Sequence, residues 1–316
     1  MTNAATETAV ASDRDAYRAT LLRLAQADDR IWCLDSDMGG LETVFEAALP
    51  EQYADFGIAE ANLVTAGAAL ARSGLLPFVN TMAAFASARA LEQVKIDVAY
   101  HNLPVRIVAT HCGFAAAYLG PTHHAQQDLA IMRALPNMTV MTPADPAETT
   151  RMIEAAAYLP GPVYIRIGSR PVGTVYQAEH DFTVGQAVEL RPGRDLTIIG
   201  AGTYPLLFAL EAADRLAQRG IDAAVLNMHT IKPLDNDAVL RAVRRTRGIV
   251  TVEEHSVFGG LGGAIAELVA GSAPAPVCRV GLADTFSSHP GTHRQQLEAC
   301  GVAPEPIVAA ALRIMA

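Results

Sequence analysis

The chain has 316 residues, 51% apolar and 18% charged, which is enough core material for two ordinary domains and excludes a disordered or fibrous protein. Its 24 Lys+Arg against 33 Asp+Glu leave a net charge of -9. That balance argues against nucleic-acid and anionic-membrane binding, which depend on excess positive charge, and leaves room for a small anionic substrate met by a few local basic groups.

No uninterrupted apolar run approaches the roughly 18 residues of a membrane span. Residues 1–11 are polar and Ala/Thr-rich, without the basic start and apolar stretch of a secretory signal, and are expected to form a loose tail. From residue 12 the elements of the first domain, 12–175, begin. Ile31–Leu34, Pro104–Ala109, Met138–Met141 and Val163–Ile167 have the β-branched runs of buried strands. Asn62–Ser73, Ala84–Tyr100, Ala125–Leu135 and Ala147–Tyr158 have helical spacing. The first of these helices sets Leu63, Val64, Gly67, Leu70 and Ala71 on one face, with Gly74 as its stop. Gly, Pro and polar residues around 168–192 break the pattern, and 176–192 is expected to link the domains. A second series fills 193–316. Its strands are Leu196–Gly200, Ala223–Met228, Ile249–Glu253 and Val277–Val280; its helices are Pro205–Arg219, Asp235–Arg244 and Gly262–Ala270. Such alternation predicts an α/β protein of two open, mostly parallel sheets covered by helices.

Cys33, Cys112, Cys278 and Cys300 fit neither a disulfide framework nor a CxxC metal site, and read as reduced thiols of a cytoplasmic protein. Three local features could carry chemistry. Phe56-Gly57-Ile58-Ala59-Glu60-Ala61-Asn62 puts a carboxylate at a helix N-terminus, where the macrodipole favours negative charge; an ordinary first-turn cap would look the same. Thr110-His111 ends a strand, and Gly120-Pro121-Thr122-His123-His124 follows on a loop, so His111, His123 and His124 could share a cleft. Adjacent histidines rarely chelate one ion and no carboxylate motif accompanies them, so no metal site is assigned. Gly200-Ala201-Gly202 lacks the rest of a dinucleotide fingerprint and reads as a tight turn. Neither a GxSxG elbow nor a GxxxxGK[ST] loop occurs, which removes α/β-hydrolases and P-loop NTPases.

Together these segments resemble the C-terminal half of transketolase, in the form of a separate subunit of split enzymes. The resemblance runs from about Tyr17 to Leu312. Phe56–Asn62 looks like the family's F-G-I-x-E-x-N, Thr110 to His123 like its TH…GPTH segment, and Ala134–Pro143 like the strand that follows. Ile231–Asp235 and Glu253-Glu254-His255 through Gly262 are similar to hallmarks of its C-terminal domain. The resemblance implies thiamine diphosphate as cofactor, with Glu60 bonded to its aminopyrimidine ring and kept poorly solvated by Ile58, Leu63 and Val64. It implies Phe85 and Met82 as the ring's pocket, where a plain core pair at i,i+3 is the competing reading, and Asp37 near the cationic part, where an Asx turn competes. It further implies His123 at the substrate oxygen, and His111 at a substrate phosphate with Arg166 or Arg170. Relatives commonly have Asp just before G-P-T-H; here that position is Leu119, preceded by Tyr118, which implies a less hydroxylated or bulkier substrate.

No Gly-Asp-Gly triplet, the family's grip on the metal and diphosphate, occurs in the sequence. The resemblance therefore implies a separate N-terminal subunit that carries it and holds Mg2+ (or Ca2+), in an α2β2 assembly. The reaction implied is transfer of a two-carbon ketol unit from a ketose donor, expected as a phosphate, to an aldehyde. The competing readings are an E1 β subunit of a 2-oxoacid dehydrogenase, a deoxyxylulose-phosphate synthase relation, and a non-catalytic scaffold of the same fold.

Overall fold

A computed structural model describes residues 12–176, 181–287 and 289–316; the expected tail lies outside them. The strands in chain order are β1 (Ile31–Asp35), β2 (Tyr53–Asp55), β3 (Leu76–Met82), β4 (Arg106–Thr110), β5 (Thr139–Met141), β6 (Val163–Arg166), β7 (Val188–Arg191), β8 (Leu196–Ala201), β9 (Ala223–Asn227), β10 (Thr230–Lys232), β11 (Ile249–Ser256) and β12 (Val277–Leu282). They form a 7-stranded sheet of order β10-β5-β6-β4-β3-β1-β2 and a 5-stranded sheet of order β12-β11-β8-β9-β7. All pairings are parallel except two at the edges, β10 on β5 and β7 on β9.

Both faces of the first sheet are apolar, as its continuous hydrophobic strands require. Cys33, Phe78, Val108 and Ile165 pack under the helices Asp13–Ala27 and Pro146–Ala157, with Tyr17, Met152 and Ile153. Their chain neighbours Leu34, Val79, Ile107, Ala109 and Tyr164 point the other way, onto Leu63 and Val64 of the helix Glu60–Arg72. That second core runs unbroken through Met132 and Met138 to Ile231, Val239, Leu261 and Ile265, so the two halves share one apolar seam.

Three expectations need correction. Val188–Arg191, placed in the linker, is an edge strand whose backbone pairs with Val225–Asn227, so the connection ends before residue 188. Upstream, the backbone N–H groups of Val175 and Tyr176 donate to Asp145 of the first domain at 3.1 and 3.0 Å; residues 177–180 of the expected linker lie outside the described residues. Ala84–Tyr100 is not one helix but Ala83–Ser87, Leu91–Gln93 and a π-helix Val94–Tyr100, because the chain bends at Ala88–Ala90. The third is Ile58, expected to shield Glu60 from water: its side chain is exposed, and Leu63 and Val64 are the apolar neighbours that stay buried.

Candidate active site

Five of the expected site segments follow five neighbouring strands, β6-β4-β3-β1-β2, at their carboxyl ends. Open parallel sheets carry ligand sites along that edge. Asp37 follows β1, Glu60 follows β2, Met82 ends β3 with Phe85 one helical turn on, His111 follows β4, and Arg170 lies beyond β6.

Glu60 opens the helix Glu60–Arg72 and is 2% exposed. Both carboxylate oxygens accept from the Arg89 guanidinium at 2.8 Å, and the Arg89 carbon sits 4.4 Å over the Phe85 ring. Sequence reasoning missed Arg89 because no local motif distinguishes it from a solvated helix arginine. Phe85 also meets His123, ring centroids 5.3 Å apart and nearly perpendicular. Beside this ring lies an open cavity of about 240 Å³, lined by Phe85, Arg89, Pro121, Thr122, His124 and Gln127 among others. Met82 is buried where β3 ends.

His123 reaches Phe85 because its loop folds back. The Ala125 N–H donates to the Gly113 carbonyl at 2.9 Å, closing the intervening residues into a ring that returns to the end of β4. His111 is held in the left-handed region, φ 55°, with its Nδ1 2.9 Å from the Thr110 hydroxyl. Burial, then the charges of Arg14, Arg170 and His123, push His111 down to about 4, so it is neutral near pH 7. His111 thus lies within range of the charges of Arg170 and His123. His124 packs on the Phe114 ring and lines the cavity beside Phe85. No group of metal-binding side chains occurs among the described residues. Arg170 stacks on exposed Tyr118 at 5.0 Å, and the next residue, Leu119, is 38% exposed. Arg14, also missed by sequence, donates to the Gly39 carbonyl at 2.8 Å and so braces the turn that carries Asp37. Asp37 is exposed, with φ 56°.

Arg166 holds the domain seam. It is fully buried, with Nε 2.8 Å from Asp128 and Nη2 donating to the carbonyls of Ala125 and Glu254 at 3.2 and 2.7 Å. Its Nε and Nη2 donors are spent on the domain seam, while Arg166 and the exposed Arg170 line one cavity with Asp13, Cys112 and Tyr204.

Fold and edge together define a class: a two-domain α/β protein whose buried helix-end carboxylate adjoins an aromatic ring and a pair of histidines. The transketolase pyrimidine binding domain matches residues 10–172 and the transketolase C-terminal domain residues 185–307. The chain belongs to the transketolase family, as a subunit of the split, two-component type, a thiamine diphosphate-dependent transferase. It is 43% identical over 275 residues to the 6-deoxy-6-sulfo-D-fructose transketolase subunit SqwH of Clostridium sp. (strain MSTE9), covering 86% of this chain and 85% of that one. It is 40% identical over 283 residues to an apulose-4-phosphate transketolase subunit of Phocaeicola vulgatus, covering 89% and 90%. A solved split-gene transketolase, an inactive beta4 tetramer, superimposes with a TM-score of 0.89 at 40% identity, covering 96% and 98%. The 1-deoxy-D-xylulose-5-phosphate synthase of Pelotomaculum thermopropionicum is 35% identical, and its match takes in 94% of this chain but 47% of the synthase.

Proposed function

We propose that this chain supplies the pyrimidine side of a thiamine diphosphate site completed by a separate N-terminal subunit. That partner would carry the Gly-Asp-Gly motif, hold Mg2+ or Ca2+ with the diphosphate, and pair with this chain as α2β2. The observation that carries the reading is Glu60: an acid with almost no solvent contact, held by Arg89, which with Phe85 lines the cavity. A buried carboxylate next to a flat apolar surface suits a nitrogen heterocycle with a proton on its edge. Half-length alignment to the synthase and the lack of a Gly-Asp-Gly triplet support the division of labour.

When bound, thiamine diphosphate supplies the carbon nucleophile and electron sink for two-carbon transfer. Glu60 would hold a proton between its Oε and the ring nitrogen. Phe85 and Met82 would hold the ring's faces, and Asp37 would stand toward the cationic part. His123 would exchange a proton with a substrate oxygen, while neutral His111 would donate or accept one hydrogen bond without carrying charge. Arg170 would offer a fixed cation to an anionic end of the substrate. Leu119 removes the acceptor that would read a sugar hydroxyl, so we assign a donor or acceptor less hydroxylated or bulkier than the common pentose phosphates. The test is reconstitution: this chain, a candidate N-terminal subunit, thiamine diphosphate and Mg2+ should together transfer two carbons from a ketose to an aldehyde. Tight cofactor binding and turnover by the isolated chain would overturn the divided site.

A further inference from the structure

We propose that Arg89 gates the cofactor site by occupying, with one planar cation, both surfaces on which the aminopyrimidine would seat. The inference rests on the cofactor reading above. Arg89 stands at the bend between Ala83–Ser87 and Leu91–Gln93, which aims its side chain back across Phe85. Its Nη1 is 2.8 Å from each oxygen of Glu60, and its guanidinium carbon lies over the Phe85 ring. A guanidinium has N–H donors on its edge and a flat π face. An aminopyrimidine with a protonated ring nitrogen presents the same two features, so the two compete for one carboxylate and one aromatic face.

The solvent exposure is asymmetric. Glu60 is 2% exposed, whereas the Arg89 side chain is 49% exposed. Glu60 therefore cannot leave, but Arg89 can swing into water and be solvated there. An ion pair with one half-exposed member is weak enough to yield to a ligand that replaces both contacts. A ligand that offers only a flat face, or only a donor, recovers one contact and loses the other. The gate thus favours a heterocycle with both, and lowers apparent affinity by the fraction of chains in which Arg89 is withdrawn.

The experiment is calorimetric titration of thiamine diphosphate, with Mg2+, into the complete two-subunit complex. Arg89→Ala should bind about fivefold more tightly than wild type, the size expected of a part-exposed charge-assisted contact. Arg89→Lys, which keeps charge but lacks the plane, should fall between. In a Glu60→Gln background the Arg89→Ala gain should shrink, because the charged contact is already gone and only the Phe85 stack remains to be released. Equal or weaker binding by Arg89→Ala, while wild type binds, would overturn the gate and make Arg89 a support for the site. Binding by none of the complexes would instead overturn the cofactor reading, and the gate with it.

Discussion

Arg166 and Asp128 form an ion pair at 2.8 Å with neither side chain more than 2% exposed. Tyr164 also donates to the same Asp128 oxygen at 2.9 Å, and Arg166 carries the link across to the Glu254 carbonyl of the second domain. Removing one partner of a buried pair leaves the other charged without compensation. Arg166→Met is expected to lower unfolding free energy by about 3–5 kcal/mol. The double variant Arg166→Met/Asp128→Leu should recover much of that loss. Urea denaturation of all three chains checks it; equal stability of wild type and Arg166→Met would contradict the seam role.

Glu60→Gln keeps shape and removes the ionisable group. Activity of the reconstituted complex should drop about 10²–10⁴-fold, the range of a lost general acid–base group. Subunit association, followed by sedimentation, should stay as in wild type. Retained turnover would show that the carboxyl group is a mere helix cap.

Asp35, at the end of β1, is buried, and one of its oxygens has no hydrogen-bond partner among the described residues. Burial, opposed by the Ser36 N–H and aided by the charges of Asp55 and Glu42, raises it to about 6 from 3.8. A raised carboxyl stabilises the fold below pH 3.8, and that contribution is lost as pH rises through 6. Asp35→Asn should therefore stabilise the chain at pH 8 by about 1–3 kcal/mol and by little at pH 4. His111 has the opposite sign: lowered to about 4, it contributes fully above pH 6.5 and loses that contribution as pH falls toward 4. Melting curves of Asp35→Asn and wild type at pH 4, 6 and 8 separate the two; a gain independent of pH would be inconsistent with the assignment.

Leu119→Asp puts a hydroxyl acceptor beside Tyr118. The ratio of kcat/KM for xylulose 5-phosphate with ribose 5-phosphate, against the best native pair, should rise about 10- to 100-fold. Wild-type turnover of those pentose phosphates at ordinary transketolase efficiency would refute the altered specificity.

Much of the α/β order was legible because it is local. The β-branched runs at β1, β4, β8 and β9 and the 3.6-residue spacing after Glu60 write sheet and helix within a few residues. Strand β3, Leu-Pro-Phe-Val-Asn-Thr-Met, escaped because Pro77 and Asn80 interrupt its apolar run, although Asn80 is satisfied inside by donating to the Leu34 carbonyl at 2.7 Å. β10 escaped because three residues gain their strand character only from an antiparallel partner in the other domain. Glu60 and the histidine loop could be picked out from sequence, but not their surroundings. Folding decided that Arg89 covers the acid, that Arg166 is sealed in the seam while Arg170 faces out, and that Ile58 points to water. Propensity acts between chain neighbours, whereas burial and charge pairing are set by residues distant in sequence, and those are the forces that fix a site's chemistry.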